Sequence, residues 1–151
     1  MGVREGSWAQ VEGEAPELLA AVRACFTVRK HATMATLRRD GSPRISGTEV
    51  QLEDGELWIG SMAGALKARD LQRDGRVAIH SPTLDPPEED PSAWSGEAKV
   101  AGRAVEVASE DSSHRFRIDL AEVVHTRVDG DALLVTSWHP GRGVQVVRRA
   151  G

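Results

Sequence analysis

The sequence predicts a mainly β, α+β fold: a small barrel of meandering antiparallel strands with one N-terminal helix and one short helix between strands. Asp-Gly occurs four times, and three of these pairs separate strand-like runs. Both residues tolerate positive φ, which tight hairpin turns demand. A helical rhythm near the N-terminus gives way to this strand-and-turn punctuation. With 151 residues and 40% hydrophobic content, the chain can build one sizeable core, so residues 1–151 read as a single domain.

The helix is expected at about residues 16–29. Pro16 suits a first helical turn, where its missing N–H costs nothing. Leu18, Leu19, Val22, Cys25 and Phe26 recur at three- and four-residue spacing and form one apolar face. Strands follow at 33–37 and 44–52 around Asp40-Gly41, and at 57–61 after Asp54-Gly55. Another pair, 123–128 and 132–137, flanks Asp129-Gly130. Further strands are expected at 76–80, 99–107 and 144–148, with Gly102 marking a bulge or corner. Leu57-Trp58-Ile59 is apolar on both faces, so its strand is expected to be covered on both sides, the outer one by a second subunit. Residues 63–71 read as a short surface helix offering Leu66, Ala68 and Leu71 to a core. Residues 81–95 carry four prolines and four acids and read as a solvated connector.

Composition narrows the function. The formal net charge is -4, so no global positive field exists to hold nucleic acid. No run of about eighteen apolar residues is present, so no membrane span is expected. The first residues lack the basic-then-apolar order of a secretory signal. Cys25 is the single cysteine and has no disulfide partner in the chain, which makes a cytoplasmic location the expectation.

The block from 32 to 81 carries the chemistry. Read physically it is strand, turn, strand, turn, strand, short helix, strand. Ser61 ends the third strand, and Gly64 opens the helix one turn before Lys67. A helix start offers free N–H groups and a positive dipole end, which suit an anion, and Lys67 adds a flexible point charge. Arg44 is placed to reach the same corner, and Ser46, Thr48 and Ser61 offer hydroxyls. These residues make a pocket for a phosphate-bearing ligand beside a sheet.

Five short pieces stand here in order: Ala35-Thr36-Leu37, Asp40-Gly41-Ser42-Pro43, Leu57-Trp58-Ile59, Lys67-Ala68-Arg69-Asp70-Leu71, and Arg73-Asp74-Gly75-Arg76-Val77-Ala78. Their sequence resembles the pyridoxamine 5'-phosphate oxidase-like superfamily of flavin- and deazaflavin-binding barrels. That resemblance implies a split β-barrel of Greek-key and meander strands. It also implies a homodimer with the cofactor in a groove between subunits. It places Arg44, Ile45, Ser46 and Gly47 along the cofactor ring, and Gly60, Ser61 and Lys67 at its phosphate. In the C-terminal hairpin it makes Trp138 and Arg142 candidates to lie against the partner's cofactor. The chain departs from the pattern at Ala65, where the family often has arginine or serine, and Leu66 follows; one phosphate donor is thereby removed. The cofactor implied is FMN or 8-hydroxy-5-deazaflavin (F-420 type). The activity implied is hydride transfer between that cofactor and a small-molecule redox substrate.

Other readings belong to other classes. His31, His80, His114, His125 and His139 lack close metal-ligand spacing, so no metal site is expected. Cys25 sits on the apolar helix face and reads as an inert thiol. A non-catalytic barrel carrying a flavin, haem or tetrapyrrole, or a degenerate member binding nothing, would share the same fold.

Overall fold

The structure is a computed structural model that describes residues 3–150. Two helices open it, α1 (Trp8–Glu14) and α2 (Pro16–Thr27), where the sequence reading expected one. The missed helix has a local signature. Ser7 Oγ accepts the N–H of Gln10 at 3.0 Å, while Gln10 Oε1 accepts the N–H of Gly6 at 2.6 Å. This is a variant of the reciprocal serine–glutamine cap. Pro16 then separates the two helices, because the residue before a proline is driven out of the helical region; Ala15 has φ -142°.

The strands are β1 (Ala32–Leu37), β2 (Pro43–Thr48), β3 (Val50–Glu53), β4 (Glu56–Ser61), β5 (Arg76–His80), β6 (Glu97–Val107), β7 (His114–Asp129), β8 (Ala132–His139) and β9 (Gly143–Ala150). A third helix, α3 (Leu66–Arg73), joins β4 to β5. All pairings are antiparallel, in the order β2-β1-β5-β6-β7-β4-β3, with β8 and β9 branching from β7. The hairpins expected across Asp40-Gly41, Asp54-Gly55 and Asp129-Gly130 all form. The run 44–52 divides between β2 and β3 at Glu49.

The long strand β7 organises the molecule. One of its edges pairs with β6 from Arg115 to Thr126. The other edge takes β4 at residues 114–117 and β8 at residues 123–129, so the sheet forks there. Opposite the fork, β6 changes register between Ala101 and Gly102. A Cβ on Gly102 would lie 1.9 Å from the carbonyl oxygen of Asp119, so only glycine permits the close approach.

The core lies between the helices and the concave sheet. Trp8, Leu19, Met34, Leu57, Ile79 and Phe116 are all almost fully buried. Burial of each such side chain contributes about 1.5–3 kcal/mol. On β4, Leu57 and Ile59 point inward, whereas Trp58 lies under the guanidinium of Arg115, 3.7 Å from the ring centroid. At this position part of the outer face is covered from within the chain, by Arg115. The helix α3 also differs from expectation. It starts at Leu66 instead of residue 63, after Gly64 at φ +74°. Ala68 and Leu71 are buried as expected, but Leu66 is 60% exposed and the third inward residue is Asp70.

Candidate functional site

The turn from β4 into α3 brings a lysine to the mouth of a cleft. Lys67 is the second residue of α3, and its Nζ donates to the carbonyl oxygen of Gly47 at 2.7 Å. The ammonium therefore bridges α3 and β2 and keeps two protons for another acceptor. The cleft has a volume of about 510 Å³, with Gly47, Thr48, Gly60, Ser61, Lys67 and Arg115 in its walls. Thr48 Oγ1 is buried and has no hydrogen-bond partner among the described residues. Such an orphan is uncommon in a folded protein and marks a wall that lacks one polar contact.

One turn further along α3, an ion cluster ties the helix to the sheet. Asp70 is 2% exposed. Its Oδ2 accepts from Thr36 Oγ1 and Arg44 Nε, both at 2.7 Å, and its Oδ1 accepts from Arg73 at 2.9 Å. Burial pushes the Asp70 carboxyl upward. The hydrogen bonds from Arg44, Thr36 and Arg73, with the charge of Arg44, outweigh it and hold the group below the usual range. Asp70 thereby ties α3 to β1 and β2.

A histidine supports the loop that precedes α3. His114 Nδ1 lies 2.7 Å from Glu106 Oε2, and its Nε2 accepts the N–H of Gly64 at 3.3 Å. Hydrogen bonds from His114 and Gln72 hold Glu106 below the usual carboxylate range, against the upward push of burial. His114 is also the Cα partner of Ser61 across β7 and β4, so it backs the cleft directly. Arg115, the next residue, is held by Glu53 at 2.9 Å and by Trp58. Sequence reasoning missed Asp70, His114 and Arg115. A buried-face aspartate flanked by arginine three residues on was the available signal for the first. The other two carried none, because only the β4–β7 pairing brings them here.

The expected site residues separate into groups. Gly47, Thr48, Gly60, Ser61 and Lys67 share the cleft. Ile45 is 76% exposed on β2, and Ser46 is half-buried opposite Met34. Arg44 does not line the Lys67 cleft, because its guanidinium is paired with Asp70 one turn further along α3. Trp138 is 1% exposed, and its indole N–H donates to Glu14 Oε1 at 3.1 Å. Its side chain is thus a core element, contrary to the ligand-facing expectation. Arg142 lies in the exposed β8–β9 turn, away from the cleft of its own chain. Cys25 is buried, and desolvation pushes its thiol up to about 11, so it is not a nucleophile. Among the described residues, no group of three or more His, Cys, Asp or Glu side chains is arranged to hold a metal. Among the described residues, no helix is long and apolar enough to cross a membrane.

The donor set of the cleft fits the phosphate of a flavin-type cofactor. It combines the Lys67 ammonium, the Arg115 guanidinium and the Ser61 hydroxyl, with small residues at Gly47 and Gly60 leaving backbone within reach of a ring. Comparison with known proteins agrees in fold. No curated protein matches the chain. A pyridoxamine 5'-phosphate oxidase-related, FMN-binding protein from Nostoc punctiforme superposes with a TM-score of 0.64 at 13% identity, covering 100% of this chain and 99% of that one. PhzG from Burkholderia lata, in complex with tetrahydrophenazine-1-carboxylic acid, gives 0.62 at 12% identity and covers 91% and 88%. The heme storage protein HutZ from Vibrio cholerae gives 0.54 at 15% identity and covers 71% and 89%. The architecture is therefore a split β-barrel. The Pyridoxamine 5'-phosphate oxidase family profile matches residues 18–144, and the chain is a member of that family.

Proposed function

We propose that the cleft beside Lys67 binds a phosphate-bearing flavin or deazaflavin, FMN or 8-hydroxy-5-deazaflavin of the F-420 type, and that the protein is an oxidoreductase. The observation that carries this is the placement of Lys67 at the mouth of a cleft whose walls include Gly47, Gly60, Ser61 and Arg115, with Glu49 as the one carboxylate among them. The Nostoc punctiforme protein of the same fold is described as FMN-binding, which supports the choice of ligand class. When bound, such a cofactor supplies hydride transfer to or from a small organic acceptor, and the protein supplies orientation and electrostatics.

Each residue then has a physical task. Lys67 and Arg115 neutralise the phosphate, and Ser61 donates to it. Gly47 and Gly60 let backbone approach the ring, since neither carries a Cβ. Asp70 and His114 act through others: one holds α3, the other holds the Gly64 loop. The proposal includes a homodimer with the cofactor near the subunit interface. The apolar side chains of Ile45, Met62 and Leu66 are 76%, 82% and 60% exposed on elements that border the cleft, and they suit burial against a second copy.

The test is turnover. Protein loaded with reduced cofactor, mixed with a panel of quinone, enone and nitro acceptors, should oxidise it faster than free cofactor does. Binding without acceleration on any acceptor would make the protein a carrier, and no binding of either cofactor would remove the reading altogether.

A further inference from the structure

Two patches of opposite charge lie at opposite ends of strand β1. The first is a cleft of about 820 Å³ beside α3. Five arginines line it, Arg38, Arg39, Arg44, Arg69 and Arg73, against two carboxylates, Asp40 and Asp70. Asp70 is shared between Arg44 and Arg73. Asp40 is taken by the N–H and hydroxyl of Ser42, and Arg38 donates to the carbonyl of Pro43. Arg39 and Arg69 are exposed and have no carboxylate partner among the described residues. A protein of net charge -4 thus carries a local surplus of three positive charges there.

The second patch is the loop 81–95. Asp85, Glu88, Glu89 and Asp90 are all exposed, and none has a cationic partner among the described residues. The loop is not a slack connector. Trp94 Nε1 donates to the carbonyl of Leu84 at 2.6 Å, Gly130 N–H donates to Ser92 Oγ at 2.9 Å, and Ser81 Oγ accepts the N–H of Ala98 at 3.0 Å. Four prolines further stiffen it. Four like charges held close together on a fixed scaffold repel one another unless a cationic surface meets them.

The two patches do not meet within one chain. The register Thr33↔His80 puts the start of the loop beside the beginning of β1, whereas Arg38 and Arg39 follow its end. A six-residue strand separates them by roughly 20 Å. Opposite ends of one strand are where an isologous contact needs complementary patches, since a two-fold axis across the strand swaps its ends. Near the middle stands Ile45, paired with Ala35 and 76% exposed on β2, an edge strand of the sheet.

We propose that the acidic loop of one copy docks in the arginine cleft of a second copy, reciprocally, about a two-fold axis crossing the β1–β2 hairpin. The inference rests on the dimer proposed above and names the contact that holds it. Charge complementarity of this kind fixes register and excludes wrong partners.

Sedimentation velocity on the full chain tests it with two charge-reversed proteins. Arg39→Glu/Arg69→Glu reverses the cleft, and Glu88→Arg/Glu89→Arg/Asp90→Arg reverses the loop, leaving Asp85 as its one acid. Each alone should dissociate, with the dimer dissociation constant raised about a hundredfold, because like charges then face each other. Mixed together they should reassociate as a heterodimer, since each loop then meets an opposite cleft. Wild type should dissociate more readily as salt rises from about 0.05 to about 0.5 M. Circular dichroism checks that both variants are folded; the loop variant, at exposed positions, serves if the cleft variant is not. Variants that stay dimeric, or a mixture that stays monomeric, would overturn this contact while leaving a dimer of another kind standing. A wild type that is monomeric at every concentration would overturn both, and cofactor titration of the same samples reports separately on the redox reading.

Discussion

Two charged residues of one short helix, one turn apart, use charge in opposite ways. Asp70 is almost fully buried and accepts three hydrogen bonds, two of them from arginines. Lys67 reaches a single backbone carbonyl at the edge of an open cleft. A buried carboxylate must be fully partnered, so it fixes geometry; a cation at a cleft mouth keeps spare donors, so it is available to a ligand. The Lys-Ala-Arg-Asp-Leu segment is thus an anchor at Asp70 and a binding edge at Lys67.

The largest expected effect breaks the anchor. Asp70→Ala leaves Arg44 and Arg73 without their carboxylate and should destabilise the fold by about 3–5 kcal/mol in urea denaturation. A loss below about 1 kcal/mol would mean that the cluster is solvated. Lys67→Ala should do the reverse, with stability unchanged within about 0.5 kcal/mol and cofactor binding weakened by about 1.5–3 kcal/mol. A Lys67→Ala protein that unfolds early would erase the distinction between the two residues. His114→Ala should fall between them. It removes the acceptor for Gly64 and a donor to Glu106, at a cost of about 1–2 kcal/mol shared between stability and binding, read by parallel urea and cofactor titrations.

The smallest effect sharpens the same contrast through pH. The folded Asp70 carboxyl lies below its unfolded value of about 3.9. It therefore contributes stability that is fully present above that value and is lost as pH falls through the lower, folded one. Asp74, lowered to about 2 chiefly by the hydrogen bonds from Arg76, contributes in the same direction. Asp70→Asn should flatten the acid limb of the stability curve below about pH 4, whereas Lys67→Ala should leave that limb unchanged. An identical limb in both variants would remove Asp70 as the source.

What the sequence revealed follows from the range of the interactions involved. The three Asp-Gly hairpins were legible because a turn and its two strands are neighbours in the chain. Lys67 and Ser61 were legible for the same reason, since one turn and one helix start place them together. The β4–β7 pairing joins distant segments, so nothing local announced that His114 and Arg115 would back the cleft. Leu66 looked like a core residue on a helix begun at 63. Gly64 at positive φ delays the start, and the inward position passes to Asp70, whose polarity hid its burial. Trp138 was legible as important but not in its role, because a tryptophan at a hairpin end packs inward or outward according to what lies across the sheet. Here that is Glu14, at the end of α1, the helix missed in the sequence.

The account turns on a phosphate docking beside Lys67, and comparing FMN with riboflavin, which lacks that phosphate, tests it most directly. Calorimetric titration of both into wild type and Lys67→Ala should show wild type favouring the phosphorylated ligand, with the substitution narrowing the gap by about tenfold or more. Equal affinity for both ligands in wild type, or a gap that Lys67→Ala leaves intact, would contradict it.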